Sequence, residues 1–191
     1  CKGNFGNSLI NHQPVASQIF SKLPATILLM GTSFVLSVLV AIPLGLWSGM
    51  KKNKMTDQVI SILAYIGISI PAFWLGLMLI IVFALNLHWL PSNGMRTVGV
   101  KSVFDVAKHL ILPGIVLSIG NMSVFTRYIR SNTISQLEEE YVLTARSKGI
   151  IERKIMLKHV LKNCLLPVIT LAGMNLASLV TGSFIIESVF G

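Results

Sequence analysis

Few side chains in this sequence stand at spacings that support bond-making chemistry. Cys164 follows His159 by five residues, which takes a thiol and its base off a common helical face, at the edge of an apolar run. His12, His88 and His109 are scattered without metal-ligand spacing. The two cysteines, Cys1 and Cys164, do not make a disulfide framework. These residues contain no G-x-x-x-x-G-K-[ST] loop to cradle phosphates. The sequence therefore predicts no catalytic residue, metal or cofactor in this chain, and any energy for work must come from a partner.

What stands out instead is one long charged segment, Ser135 to Pro167, in an otherwise apolar chain. Ser135 and Glu138 have the spacing of a capping box, which predicts a helix starting at Gln136. Glu138, Glu139 and Glu140 fall in its first turns and Arg146 and Lys148 in its last, each matched to the helix dipole. Gly149 is expected to end it in the left-handed conformation. A second helix is predicted to run to about Asn163, with Lys154, Lys158 and Lys162 on one face and Ile150, Leu157 and Leu161 on another. Such a basic face suits anionic headgroups, whereas the acidic triplet disfavours that surface for the first helix and directs it to protein.

The elements that must position this segment are membrane helices. The chain is 53% hydrophobic and 12% charged with a mean hydropathy of +0.73, against about 25% charged for soluble domains. The net charge of +9 accompanies long uncharged runs rather than any nucleic-acid motif, so basic loops against anionic lipid explain it. Four runs are predicted to span: 25–50, 58–87, 110–126 and 163–186. The third is the shortest, with Lys108 and Arg127 placed to snorkel at its ends. Lys51, Lys52 and Lys54 lie between the first two runs. Arg127, Arg130, Arg146, Lys148, Arg153, Lys154, Lys158 and Lys162 lie between the last two. Both loops are therefore expected in the cytoplasm and both chain ends outside. Residues 1–24 carry no signal peptide or anchor to bring them there, so at least one further span is expected before Cys1.

Within the spans, Gly45 and Gly49 form a G-x-x-x-G pair expected to pack against a neighbouring helix of the same chain. Pro71 frees a carbonyl one turn earlier that can face a water-filled path, and Ser69 beside it is a candidate for lining that pathway or for stabilising the kink. Asn121 and Asn175 are the other pathway candidates, because an amide in a span is costly unless it pairs or lines a cavity. The short turn from Lys51 to Asp57 reads as a topology anchor. A short helix is expected to end near Pro24, and Glu187 is expected to make a helix-end contact or act at a gate near the outer surface. None of the four runs buries a charge at its middle, where one costs about 2.5 to 3.5 kcal/mol, which argues against an ion-coupled secondary transporter.

The run Glu140-Tyr141-Val142-Leu143-Thr144-Ala145-Arg146-Ser147-Lys148-Gly149, followed by His159, Asn163 and Leu166-Pro167, resembles the EAA loop of binding-protein-dependent ABC importer permeases. More narrowly, it is similar to the dipeptide, oligopeptide and nickel branch. The consensus glutamate and two alanines correspond here to Glu140 or Tyr141, Thr144 and Ala145. Gly3-Asn4-Phe5-Gly6-Asn7-Ser8, His88-Trp89-Leu90-Pro91-Ser92-Asn93-Gly94 and the tail Ile185 to Gly191 add to the resemblance. It implies an all-α polytopic bundle of the type I importer class, with four spans here of six in the complete subunit. Residues 1–24 would be extracytoplasmic, 25–191 the transmembrane domain, and 127–162 the cytoplasmic coupling loop. It implies a multi-pass protein of the bacterial cytoplasmic membrane, working with a second permease, two ATPase subunits and a solute-binding protein. Glu140, Tyr141, Val142, Ala145, Arg146, Lys148 and Gly149 would couple to the ATPase, with Tyr141 and Val142 as an apolar plug and Ala145 a close-packing position. Peptides are the implied cargo, with nickel or a metal chelate as the alternative.

Overall fold

Long uncharged runs satisfy their backbone N–H and C=O groups only within themselves in lipid, so helices carry this fold. The computed structural model describes residues 5–10, 12–181 and 184–191, excepting the side chains at 167 and 175–181. The helices are α1 (Val15–Met50), α2 (Met55–Ser69), α3 (Ala72–Leu79), α4 (Val103–Leu137), α5 (Glu140–Ser147), α6 (Glu152–Ile155), α7 (Leu161–Thr181) and α8 (Phe184–Phe190). A π-helical stretch, Ile80–Asn86, continues α3, and another, Met156–Val160, joins α6 to α7.

Among the described residues three helical rods are long and apolar enough to cross a membrane, and a fourth is made if α2 and α3 count as one bent span. The bend is 97°, so the run 58–87 is not the continuous kinked helix expected. Pro71 lacks an N–H and holds its neighbour Ile70 extended (ψ 123°), so α2 stops at Ser69 and α3 restarts at Ala72. The Ser69 hydroxyl donates to the Tyr65 carbonyl at 2.9 Å, one turn back.

Three other boundaries move. The helix expected to end near Pro24 continues through it into α1; Phe20, whose carbonyl loses its donor, is exposed. The third span is the core of a 35-residue helix rather than a short run, because Arg127 and Arg130 find partners and need not end it. The second helix of the charged segment does not stop near Asn163: α6, the π-helical stretch and α7 follow one another without a turn.

The core is organised by α1 against α4. Ser33, Ser37, Ala41, Gly45 and Gly49, four apart, are buried along one stripe of α1. A Cβ at Gly45 would stand 2.6 Å from Ile129 Cβ and 2.9 Å from the Thr126 carbonyl oxygen. One at Gly49 would stand 2.6 Å from Thr133 Cβ and 3.1 Å from the Arg130 carbonyl oxygen. The G-x-x-x-G pair is thus an intrachain packing surface, as expected. Hydroxyls in the seam bond to backbone: Ser33 to Leu29 at 2.6 Å, Ser37 to Ser33 at 2.7 Å and across to Ser118 at 3.1 Å. Phe34 meets Phe125 edge to face at 5.9 Å between ring centroids.

Candidate coupling site

The charged segment leaves the bundle through α4 and returns through α6, with α5 between them. Helix α4 overshoots the predicted start at Gln136. Ser135 donates its hydroxyl to the Ser131 carbonyl instead of capping, and α4 continues to Leu137, which packs on the core. Another helical turn keeps backbone bonds and packs Leu137 on the core, so it prevails over the capping box. Glu138 and Glu139 then form the turn, and Glu139 stands at the N-cap of α5 without a side-chain cap. Of the acidic triplet only Glu140 lies in the first turn of α5, while Glu138 accepts from Lys52 Nζ at 2.9 Å.

The other end of α5 is built as expected. Gly149 has φ +72°; its N–H donates to the Arg146 carbonyl at 2.9 Å, and that of Ile150 to the Ala145 carbonyl at 3.2 Å. This is a Schellman motif. Open space surrounds the position a Cβ would take, so glycine is needed for its conformation rather than its size. Arg146, in the last turn, donates from Nε to Glu152 Oε1 at 2.5 Å, tying α5 to α6. The Glu152 carboxylate holds the guanidinium above its usual range. Lys148 is the exposed C-cap.

Helix α5 has two unlike faces. Val142 is fully buried and Ala145 nearly so, in a cluster with Ala41, Ile129, Ile155, Met156, Val160 and Cys164. Tyr141 is half-buried and donates its hydroxyl to Gln136 Oε1 at 2.8 Å. Of the apolar plug expected at Tyr141 and Val142, Val142 is turned inward and anchors the helix to its own bundle, while Tyr141 stays partly open. The opposite stripe, Glu140, Leu143, Thr144 and Ser147, is exposed, with Leu143 57% accessible. Leu143 was missed, although the three-residue spacing of Val142 and Ala145 marks an inner face that leaves Leu143 outside.

The pathway candidates stand on separate elements. Ser69 is exposed at the α2–α3 break, and Asn121 is half-buried within α4. The two helices meet nearby, since a Cβ at Gly67 would overlap Ser123 and lie 3.2 Å from Ile119 Cγ2. Asn175 belongs to α7, but its side chain lies outside the described residues. At the far end of the bundle Thr26 donates to Glu187 at 3.3 Å to either carboxylate oxygen, the expected helix-end contact, beside a cavity of about 440 Å³ that also touches Lys22, Asn93 and His109.

The turn between α1 and α2 holds more than a topology anchor. Asp57 is buried and accepts from Arg130 Nε at 2.5 Å and a second guanidinium nitrogen at 2.8 Å, from Ser48 at 2.6 Å and from the Asn53 N–H at 2.9 Å. Asn53 takes a positive φ of 63° to present that N–H. The available signal was that Asp57 is the only Asp or Glu before Asp105. Its partner, on a different helix, had none.

Residues 41–191 match the family model described as "Binding-protein-dependent transport system inner membrane component". The chain is 41% identical over 191 residues to the oligopeptide transport system permease protein AppB of Bacillus subtilis (strain 168), covering 99% of this chain and 60% of that protein. It is 40% identical over 191 residues to a putative peptide permease protein of Brucella ovis, with the same coverage. Against the glutathione transport system permease protein GsiC of Salmonella typhi it is 38% identical over 189 residues, covering 99% of this chain and 59% of the relative. The chain thus spans about three-fifths of the length of these curated relatives. A helical membrane bundle whose charged segment forms α5, together with a family match over most of its length, identifies this chain as a member of the binding-protein-dependent transport system inner membrane component family.

Proposed function

We propose that this chain forms the translocating bundle of a permease subunit in an ATP-driven importer of peptides, with α5 as the helix that receives movement from an ATPase subunit. The observation that carries this reading is the division of α5: Val142 and Ala145 lock one face into the membrane bundle, while Glu140, Leu143, Thr144 and Ser147 offer the other. A helix held this way transmits a push to the spans rather than yielding to it. Tyr141, Arg146, Lys148 and Gly149 set its attachment and angle, and Leu143 is its apolar contact for the partner.

The same reading assigns a second permease, two ATPase subunits and an extracytoplasmic solute-binding protein as partners, with ATP hydrolysis on the ATPases. Residues 25–191 are the transmembrane domain, and the α5 end is cytoplasmic with both chain ends on the other side. Supporting that orientation, Lys52 to Glu138 and Asp57 to Arg130 bring the two basic loops to one end of the bundle. The exposed Lys154 and Lys158 beside Leu157 on α6 and the π-helical stretch suit lipid headgroups. Ser69, Asn121 and Asn175 are retained as pathway residues. Peptides are preferred to nickel or a metal chelate because the similar permeases carry peptide, oligopeptide and glutathione in their names.

The test is uptake and ATP hydrolysis by the full-length subunit assembled with these partners in proteoliposomes, comparing short peptides, glutathione and nickel. Stimulation by peptides is expected. Stimulation by nickel alone would move the cargo, and ATPases that fail to bind at α5 would overturn the coupling role.

A further inference from the structure

Asp57 lies 73 residues from Arg130 in sequence, yet the two share a bidentate ion pair at 2.5 and 2.8 Å in which the carboxylate is buried. Ser48 from the last turn of α1 and the Asn53 N–H from the turn complete its shell, and Ser61 stands 3.5 Å away on α2. One carboxylate thereby joins α1, the turn, α2 and α4. A buried pair of this kind adds little net stability over an apolar core, but its fixed fork geometry specifies one arrangement of the elements it joins. The arrangement is reinforced on both sides. Arg127, one turn before Arg130, lies over the Tyr65 ring of α2 at 4.7 Å, and Lys52 reaches Glu138 in the turn that leads into α5. Beside the pair, the Gly49 contact leaves α1 no room to slide on Thr133 and the Arg130 backbone.

Resting on the coupling role assigned to α5, we propose that Asp57 and Arg130 are positioning residues. They make the α1–α2 turn and the end of α4 one rigid body, so that movement of α5, which shares a core cluster with α1 and α4, reaches α2 as well. Without the pair, α5 would still dock and α4, with α1 locked to it by the glycine seam, would still be pushed, but α2 would lag. The product of the device is the uptake obtained per ATP rather than hydrolysis itself.

The experiment uses the full-length subunit assembled with its partner permease, ATPases and binding protein in proteoliposomes, reading ATP hydrolysis and uptake of a labelled tripeptide together. Asp57→Asn and Arg130→Lys are each expected to keep hydrolysis while lowering uptake per ATP about tenfold. Lysine keeps the charge but lacks the fork, so a merely electrostatic role would be rescued by it. The double variant should be no worse than either single one, since both remove one interaction. Equal losses of hydrolysis and uptake, or full rescue by Arg130→Lys, would overturn the proposal. A second measurement covers the case in which the variants do not reach the membrane. With Lys52→Cys and Glu138→Cys joined by a flexible bifunctional thiol reagent, the rigid unit predicts the same cross-linking yield with and without ATP. A yield that changes with ATP would overturn it. If the unmodified assembly hydrolyses ATP without taking up tripeptide, the peptide reading fails, and the cross-linking result still decides for or against the rigid unit.

Discussion

At the end of the bundle that carries α5, Asp57 accepts short charge-assisted bonds from Arg130, and α1 touches α4 so closely that two glycines are required. At the opposite end α8 meets α1 through one threonine hydroxyl, 3.3 Å from each Glu187 oxygen, and meets the loop after α3 through the Gly94 N–H donating to the Phe190 carbonyl at 2.7 Å. A cavity of about 440 Å³ lies among these weaker contacts. The bonds at the first end are short and bidentate between opposite charges, whereas those at the second are longer and come from one hydroxyl, so polar contacts tie the first end more tightly.

The comparison breaks first at the glycine seam. Gly49→Leu should cost more than the usual overpacking penalty of about 1–3 kcal/mol, since the nearby Arg130 carbonyl belongs to backbone that cannot turn aside. Gly31→Leu, where nothing lies within 4 Å of a Cβ, supplies the control on the same helix. Thermal unfolding of the two variants in detergent should differ by many degrees, and equal Tm values would remove the seam from the argument.

Neighbouring residues of α5 sharpen it next. Val142→Ala should cost about 2 kcal/mol by opening a cavity in the core. Leu143→Ala, outside, should stay within about 0.5 kcal/mol of the parent yet weaken binding of the ATPase subunit. Unfolding and ATPase pull-down on both variants would test this pair, and a reversed order would return Val142 to the partner surface. Gly149→Val forces a branched side chain to a positive φ at about 1–2 kcal/mol. The subunit should still insert, while uptake falls relative to hydrolysis; normal uptake would count against α5 as the coupling element. The smallest effect belongs to the outer end. Thr26→Val removes one weak donor from a half-buried carboxylate, for about 1 kcal/mol or less, and uptake per ATP should be unchanged. A loss there as large as that of Asp57→Asn would erase the distinction between the two ends.

Much of this was legible in the sequence where the signal is local. Uncharged runs marked the membrane rods, Gly149 marked the end of α5, and Gly45 with Gly49 marked a packing face. The failures have a common physical origin in tertiary competition. Ser135 and Glu138 spell a capping box, but packing of Leu137 on the core draws α4 past it. Pro71 announces a kink, whereas the 97° angle depends on what each half packs against, α2 on α4 and α3 on Phe190. Val142 and Leu143 are adjacent apolar residues, and the face turned inward is settled by Ile155, Met156 and Val160, which follow later in the chain. The turn from Lys51 to Asp57 reads only as a topology anchor because the partner of Asp57 comes from another helix.

The dependence of α5 on residues that follow it has a consequence for biogenesis. When α5 leaves the ribosome, the seat for Val142 and Ala145 is half built, offering Ala41 and Ile129 but not yet Ile155, Met156, Val160 or Cys164. The Arg146 tether is also missing until Glu152 has been made. The seat of α5 is therefore complete only once residues 152–164 have been made and packed against it. Nascent chains that stall before α6 would leave Val142 and Ala145 with half of their contacts, so the set of α5 on the bundle is decided late in synthesis.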